Sequence, residues 1–159
     1  MFVFGLLIAA ATQDALADTA SGLEAMKRGD YIHALIELRE PAQEGDATAQ
    51  VGMAAIYHYG LGVPADFSKA LRWYRAAALQ GNVDGQIGLA VLYAAGQGVR
   101  IDLAIARMWL SIAADALPPN KDRIRVAQDR DMLAERMSPA ELRQSDDLIK
   151  NWYSHHKAP

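Results

Sequence analysis

Residues 50–78 read QVGMAAIYHYGLGVPADFSKALRWYRAAA, and residues 86–114 read QIGLAVLYAAGQGVRIDLAIARMWLSIAA. The two stretches are copies of one pattern, offset by 36 residues. The residues that recur at this offset are Gln50, Gly52, Ala54, Tyr57, Gly60, Gly62, Val63, Asp66, Ala70, Trp73, Ala77 and Ala78. A fixed period between about 20 and 50 residues is typical of stacked repeats, whose units bury a core only against their neighbours. The chain is therefore predicted to be a short helical solenoid that works by surface contact rather than by chemistry.

Each copy divides into two helical patterns around a glycine-rich turn. Asp46 is a suitable N-cap for the first helix, which residues 60–64 (Gly-Leu-Gly-Val-Pro) then end. Glycine suits this turn because a tight reversal needs a positive φ, which is costly for a residue with a Cβ. Asp66 is expected to cap the second helix, and Gly81 to end it. The apolar residues at helical spacing are Ala49, Met53, Ile56 and Tyr57 in the first helix and Ala70, Trp73, Tyr74 and Ala77 in the second.

Residues 18–46 match the same pattern only in part and are predicted to form a degenerate N-terminal repeat that caps the stack. Its first helix is expected to begin at Ser21, since Ser21 and Glu24 have the spacing of a capping box, and to run to Gly29. Pro41 stands where the later copies have alanine, so the second helix is expected to kink or to stop early.

The period ends at Pro118, and residues 119–159 are predicted to form C-terminal capping helices. Apolar positions that indicate one helix are Val126, Leu133 and Met137. Residues 138–141 (Ser-Pro-Ala-Glu) are typical of a helix start, with an N-cap serine, proline at the first position and glutamate at the third. The apolar stripe of this last helix, predicted to seal the open end, is Leu142, Ile149 and Trp152. About eight helices and no strand are predicted, with a frayed tail from His155 onward.

Composition excludes several functional classes. The 159 residues suffice for one domain with a sizeable core, and the net charge of −3 argues against a nucleic-acid groove or a polybasic membrane surface. Cysteine is absent, which excludes disulfides, thiolate chemistry and cysteine-based zinc sites.

Residues 1–17 have the pattern of a secretory signal peptide. An apolar run from Phe2 to Ala11 is followed by Ala15-Leu16-Ala17, the small-x-small order of a cleavage site. The run is too short to cross a bilayer, which takes about 20 apolar residues, so no stable anchor is expected after cleavage. The pattern predicts export to the periplasm or the medium. No Lys or Arg precedes the run, and the alternative is a disordered or core-docked N-terminal tail.

The two copies resemble Sel1-like repeats, which are relatives of the tetratricopeptide repeat. The combination Gly-x-Gly-Val, Asp, Ala-x-x-Trp occurs twice in register, within residues 49–77 and 86–113. The departures from the family pattern are Leu110 in place of Tyr, Gly85 in place of the leading Ala, and Ala54 and Ala90 in place of Gly. The resemblance implies an all-α fold, a right-handed superhelix with repeats at residues 47–82 and 83–118. It also implies a concave face that holds protein partners, and bacterial settings such as envelope signalling, exopolysaccharide control or virulence, where family members act mostly as adaptors.

In such a superhelix the first helix of each pair lines the concave face. The residues that the core does not need there, and that are predicted to contact a partner, are Val51, Ala55, His58, Tyr59, Ile87, Val91, Ala94 and Ala95. This set is apolar with two polar-tipped rings, which suits binding of a helix or peptide. The alternative for the aliphatic members is packing against neighbouring helices. Tyr59 is favoured as a contact residue because it precedes the turn and its counterpart in the next copy is alanine.

No catalytic, cofactor-binding or metal-binding residue is predicted. The loops at residues 60–62 and 96–98 follow helices rather than strands, so they are not phosphate cradles. His155 and His156 are adjacent but have no third ligand nearby, and no serine has a visible base partner.

The expected function is that of an adaptor in the bacterial envelope. Its partner is expected to be a single helix or loop of another protein, or a second copy of this chain. One alternative is a module that binds peptidoglycan or exopolysaccharide, for which Tyr59 and Tyr153 are the few candidate stacking rings. The other is β-lactam hydrolysis by family analogy. That analogy is weak, because such members are cysteine-rich and this chain has no cysteine.

Overall fold

The computed structural model describes residues 18–156, and within them every regular element is a helix. The helices are α1 (residues 18–27), α2 (Tyr31–Glu44), α3 (Ala47–Tyr59), α4 (Phe67–Leu79), α5 (Val83–Ala95), α6 (Leu103–Ala116), α7 (Lys121–Ala134) and α8 (Pro139–His155). The prediction of an all-α fold with about eight helices is confirmed. The predicted signal peptide lies outside the described residues, as do the last three residues of the predicted tail. The chain divides into two compact units, Met1–Ala77 and Ala78–Pro159, which are described in turn.

The turn between the paired helices has the same geometry in both copies of the pattern. α3 ends at Gly60, which has a φ of 65°. The backbone N–H of Asp66 then donates to the carbonyl of Tyr57 at 2.8 Å and closes the turn. We call this hydrogen bond the closing bond. In the second copy, Gly96 has a φ of 69° and corresponds to Gly60. The closing bond there runs from the N–H of Asp102 to the carbonyl of Tyr93 at 3.0 Å.

Aspartate and asparagine side chains cap the N-termini of these helices, as the sequence predicts for Asp46 and Asp66. The side chain of Asp46 accepts hydrogen bonds from the N–H groups of Thr48 at 2.7 Å and Ala49 at 3.0 Å. Asp66 accepts one from Lys69 at 2.9 Å. These bonds satisfy N–H groups that have no partner inside the helix, and they place negative charge at the positive end of its dipole. In the second copy the capping residues are Asn82 and Asp102.

The core of the first unit is centred on Leu38, whose side chain is fully buried. It lies against two glycines, Gly22 on α1 and Gly52 on α3. A Cβ atom at Gly22 would stand 2.5 Å from Leu38 Cγ, and one at Gly52 would stand 2.7 Å from Leu38 Cδ1. Because both sides are occupied, Leu38 cannot move away from one glycine without meeting the other. The two glycines therefore set how closely α1 and α3 approach α2.

Two predictions for the first unit are wrong. Ser21 does not begin α1, because the chain is already helical at residue 18. The hydroxyl of Thr19 donates to Asp46 Oδ2 at 3.1 Å, which ties the earlier turn of α1 to the cap of α3. Of the two outcomes expected at Pro41, the early stop is wrong, since α2 continues to Glu44, and the kink stays a prediction. Pro41 is buried in the last turn of the helix, where its missing N–H leaves the carbonyl of Glu37 without the usual intrahelical donor, and Gly45 ends the helix with a φ of 105°.

α6 is the central helix of the second unit, and α5, α7 and α8 all pack against it. Its buried residues are Ala104, Ala106, Met108, Trp109, Leu110, Ser111, Ile112, Ala113 and Ala114. Arg107 on α6 donates to Ser145 at 3.0 Å and to Asp146 at 2.7 Å, so that a charged hydrogen bond fixes α8. Trp152 also reaches α6, where its ring meets the edge of Trp109 at 5.0 Å between centroids.

The helix start at Ser138 and two buried positions on α7 are confirmed, whereas His155 belongs to α8 and not to a frayed tail. Ser138 and Glu141 form the predicted capping box, in which the Ser138 N–H donates to Glu141 Oε2 at 2.7 Å. Val126 and Leu133 are buried on α7. Met137 is buried too, but it lies in the turn after α7 rather than on the helix. The predicted stripe on α8 is half-buried.

Within residues 18–156 no helix has the length and apolarity needed to cross a membrane.

We expect Gly52→Ala to destabilise the protein by about 1–3 kcal/mol, because the new methyl group overpacks the Leu38 site. The sign is diagnostic, since alanine is otherwise favoured over glycine inside a helix by about 1 kcal/mol. Urea denaturation measures the change. Adding Leu38→Ala to Gly52→Ala should cost less than the sum of the two single changes, because the methyl group then has room. A Gly52→Ala variant more stable than the parent would contradict the close packing.

Candidate binding surfaces

The predicted partner-binding residues of the first unit lie along one face of α3. Val51, Ala55 and Tyr59 are spaced by four residues, which places them nearly one turn apart on the same side. Val51 and Ala55 are half-buried, and Tyr59 at the end of the helix is 67% exposed. We call these three residues the α3 stripe. The stripe therefore has an aliphatic base and one large, accessible ring.

The same spacing produces a second stripe on α5 of the second unit. Ile87 is half-buried, Val91 is 45% exposed and Ala95 is exposed. We call Ile87, Val91 and Ala95 the α5 stripe. Ala94 beside it is half-buried. Small and aliphatic residues make this stripe low and smooth, without the ring that ends the α3 stripe.

The prediction that His58 lies outside the core is wrong. The residue is only 8% exposed, and its ring packs edge-on against Phe67 and Tyr74, each at 5.9 Å between centroids. On its other side the ring stacks on Tyr59 at 4.5 Å with an interplanar angle of 19°. His58 is therefore a core residue that supports Tyr59 from beneath.

A comparison of the two copies carries the signal for this arrangement. His58, Phe67 and Tyr74 are rings in the first copy. The residues 36 positions later are Ala94, Leu103 and Leu110. Three rings replace three aliphatic residues together, which indicates that they occupy one site. The single-helix pattern of α3 could not show this, because two of the three rings lie on α4.

The second unit contains a cleft of about 410 Å³. It lies where the last turns of α6 and α8 meet the end of α4 and the start of α5. The side chains that line it include Leu79, Gln86, Ile112, Trp152, Tyr153 and His156. This volume falls within the usual range for small-ligand sites, about 300–1,000 Å³.

The rings of the cleft are held by hydrogen bonds and stacking. His156 stacks on Trp152 at 3.7 Å with an interplanar angle of 8°, and its Nδ1 lies 3.0 Å from the carbonyl oxygen of Trp152. The hydroxyl of Tyr153 donates to Asp115 Oδ2 at 2.9 Å. Burial raises the pKa of Tyr153 from 10.0 to about 12, and the hydrogen bond to the Asp115 carboxylate adds to the rise because it favours the protonated hydroxyl.

The repeat glutamine has a structural role that sequence analysis missed. Gln50 Nε2 donates to the carbonyl of Ala42 at 3.0 Å, and Gln86 Nε2 donates to Ala78 at 3.5 Å. In both copies the acceptor lies eight residues earlier, at the end of the preceding helix. The glutamine thus joins the start of one helix to the end of the helix before it.

The adjacent histidines are used as end groups of α8. His155 Nδ1 lies 2.8 Å from the carbonyl oxygen of Asn151, and His156 Nδ1 contacts Trp152 as described above. The carbonyl of Trp152 also accepts the backbone N–H of His156 at 2.9 Å, so the ring is a second donor to a carbonyl at this helix end. Within residues 18–156 no three side chains of His, Asp or Glu come together as a possible metal site.

Comparison with known families identifies the repeated pattern. Residues 47–82 and 83–116 each match the family model of the Sel1 repeat. This chain carries two Sel1 repeats. Sel1 repeats generally mediate protein–protein interaction, and proteins built from them are typically scaffolds without enzymatic activity.

Two solved structures of Sel1 repeat proteins are similar to this chain. One is a protective antigen present in uropathogenic Escherichia coli strains, which displays an SLR fold. It is 25% identical with a TM-score of 0.80, over 91% of this chain and 31% of that one. The other is a Sel1 repeat protein from Oxalobacter formigenes, 31% identical with a TM-score of 0.62, over 77% of this chain and 36% of that one. This chain thus spans about a third of each relative. No curated protein sequence matches it.

We expect Tyr153 to ionise near pH 12. The folded-state pKa is raised, so the stability linked to Tyr153 is present below pH 10 and is lost as the pH rises toward 12. Spectrophotometric titration of tyrosinate measures this step. Tyr153→Phe should remove it, and Asp115→Asn should move it to lower pH without removing it. A titration curve unchanged by Tyr153→Phe would contradict the assignment.

Proposed function

We propose that this chain is an adaptor that binds a partner protein, with the α3 stripe and the α5 stripe each acting as a contact surface. The observation that carries the proposal is Tyr59, a ring 67% exposed at the end of an apolar helix face. A tyrosine offers a large contact area with few rotatable bonds, and such residues dominate the energy of many interfaces.

The support beneath Tyr59 strengthens this proposal. The stacked His58 ring is itself held by Phe67 and Tyr74, so that Tyr59 rests on a packed base. A side chain that is already restricted loses less conformational entropy on binding. The α3 stripe therefore suits an anchor that inserts into a partner.

The α5 stripe is suited to a different part of the interaction. Val91 and Ala95 are exposed and have no long side chain, so they present a low apolar surface. Such a surface accepts a close approach by the apolar face of a helix or loop. We propose a single helix or loop of another protein as the partner, with a second copy of this chain as the alternative.

The two other functions have less support from the described residues. Glycan binding usually needs several exposed flat rings. Of the two candidate rings, Tyr59 is exposed, but Tyr153 is half-buried and bonded to Asp115, and Trp109 is buried. For β-lactam hydrolysis the analogy is to cysteine-rich proteins, and the chain contains no cysteine. We therefore retain the adaptor as the proposed function and propose that the chain is not an enzyme.

In-cell photo-crosslinking from position 59 tests the adaptor function. We expect a photoreactive residue in place of Tyr59 to give a discrete protein adduct that mass spectrometry identifies. Ile101 provides a matched control, since it is 66% exposed but lies on neither stripe. Once the partner is known, Tyr59→Ala should weaken its binding about tenfold or more, as expected for an anchor. Equal adducts from both positions, or a loss of many degrees in Tm on Tyr59→Ala, would contradict the proposal.

We further propose that the protein acts in the bacterial envelope, supported by the signal-peptide pattern of residues 1–17. Expression of the full chain in a Gram-negative host should give a periplasmic product whose amino terminus is Asp18. N-terminal sequencing after osmotic shock measures this. Ala17→Arg places a large charged residue at the cleavage position and should leave the precursor unprocessed. A product that keeps Met1 and stays in the cytosol would show the proposal to be wrong.

A further inference from the structure

The cleft of the second unit presents hydrogen-bond acceptors. Gln86 is 2% exposed, and its Oε1 atom accepts no hydrogen bond from any residue between 18 and 156. A buried amide oxygen without a donor costs free energy, so the site favours a ligand that supplies one. The hydroxyl of Tyr153 has given its hydrogen to Asp115, which leaves its own oxygen as an acceptor.

The histidine adds a further acceptor. His156 Nδ1 lies 3.0 Å from a carbonyl oxygen, which can only accept, so Nδ1 carries the hydrogen. In the neutral ring Nε2 is then an acceptor. On the donor side, the N–H of Gly81 is already used by the carbonyl of Ala78. Three acceptors, Gln86 Oε1, Tyr153 Oη and His156 Nε2, therefore stand beside one ring donor, the indole N–H of Trp152.

The electrostatic setting favours positive charge. Leu79 ends α4, Ala116 ends α6, and Trp152 to His156 form the last turn of α8. Three helix C-termini and one N-terminus, that of α5, therefore border the cleft, so that negative dipole ends outnumber the positive one. The carboxylate of Asp115 adjoins the cleft through Tyr153. Arg123, at 4.0 Å from the other oxygen of that carboxylate, offsets its charge only in part because both groups are largely solvated.

The remaining walls are apolar. Leu79 is 51% exposed, and Ile112 and Trp152 line the cleft beside it. An aliphatic chain packed along these residues would remove apolar surface from water on both sides. We propose that this cleft binds an alkylguanidinium or alkylammonium group. The stem lies against Leu79, Ile112 and Trp152, and the N–H groups point to Tyr153 Oη and, once the buried Gln86 amide turns toward the ligand, to Gln86 Oε1. The site uses no stripe residue, and it stands or falls independently of the adaptor proposal.

NMR titration of the full chain tests this site, with Nα-acetyl-L-arginine amide as the probe. We expect saturable shifts at the Trp152 indole N–H and the Gln86 side-chain amide. The matched neutral probe is Nα-acetyl-L-citrulline amide, which keeps the shape but has no charge and should bind about tenfold more weakly. Equal affinity for the two probes, or the absence of saturable shifts, would overturn the proposal.

Variants locate the site. Gln86→Met removes the free oxygen and should weaken arginine-amide binding about tenfold, the usual effect of losing one hydrogen bond to a charged group. Gln50→Met is the matched control, because it removes the same interhelical bond in the other repeat but no residue of the cleft. Equal losses in both variants would overturn the proposal. If Gln86→Met does not fold, Tyr153→Phe decides, since it removes the Oη acceptor together with its bond to Asp115 and should also weaken binding.

Two further probes distinguish the source of the cation. A blocked pentapeptide with one central arginine that binds more tightly than the arginine amide supports a basic side chain of a protein. Spermidine that binds more tightly than either supports a free polyamine. If neither exceeds the arginine amide but Gln86→Met still weakens binding, the result supports recognition of the cationic group alone.

Discussion

The closing bond across each helical turn is the constraint on which the rest of the structure depends. In the first repeat, the N–H of Asp66 reaches back to Tyr57 only because Gly60 takes a positive φ. The same aspartate then caps α4 with its side chain. One residue thus ends the turn and starts the helix, which fixes the length of the connection and the antiparallel course of α3 and α4. The second repeat repeats this bond at 3.0 Å from Asp102.

Because the turn is fixed by the backbone, side chains around it are free to differ between repeats. The first repeat has three rings where the second has aliphatic residues. One of these rings, His58, stacks against Tyr59 of the α3 stripe. The second repeat instead packs α6 against three helices and uses Trp109 to receive Trp152 from α8. One pattern therefore serves two purposes, an accessible anchor in the first unit and a capped core with an adjoining cleft in the second.

Sequence reasoning succeeded where local rules apply. Caps at Asp46, Asp66 and Ser138 follow from side chains that reach N–H groups within three residues, so the pattern predicts them directly. It failed at Ser21, which lies inside α1, and at Pro41, which lies inside α2. Thr19, which precedes Ser21 on α1, bonds to the distant cap residue Asp46, a contact that helical periodicity cannot show.

The sequence by itself determined the helical repeat, its turns and the two stripes, because period, capping and glycine placement act over a few residues. Only the tertiary structure decided that His58 belongs to the core and that the ends of α4, α6 and α8 border one cleft. Both facts depend on residues far apart in the chain: His58 meets Tyr74, and Gln86 lines the same cleft as Tyr153. Helical periodicity shows which side of a helix is apolar, but it carries no information on which neighbour covers that side.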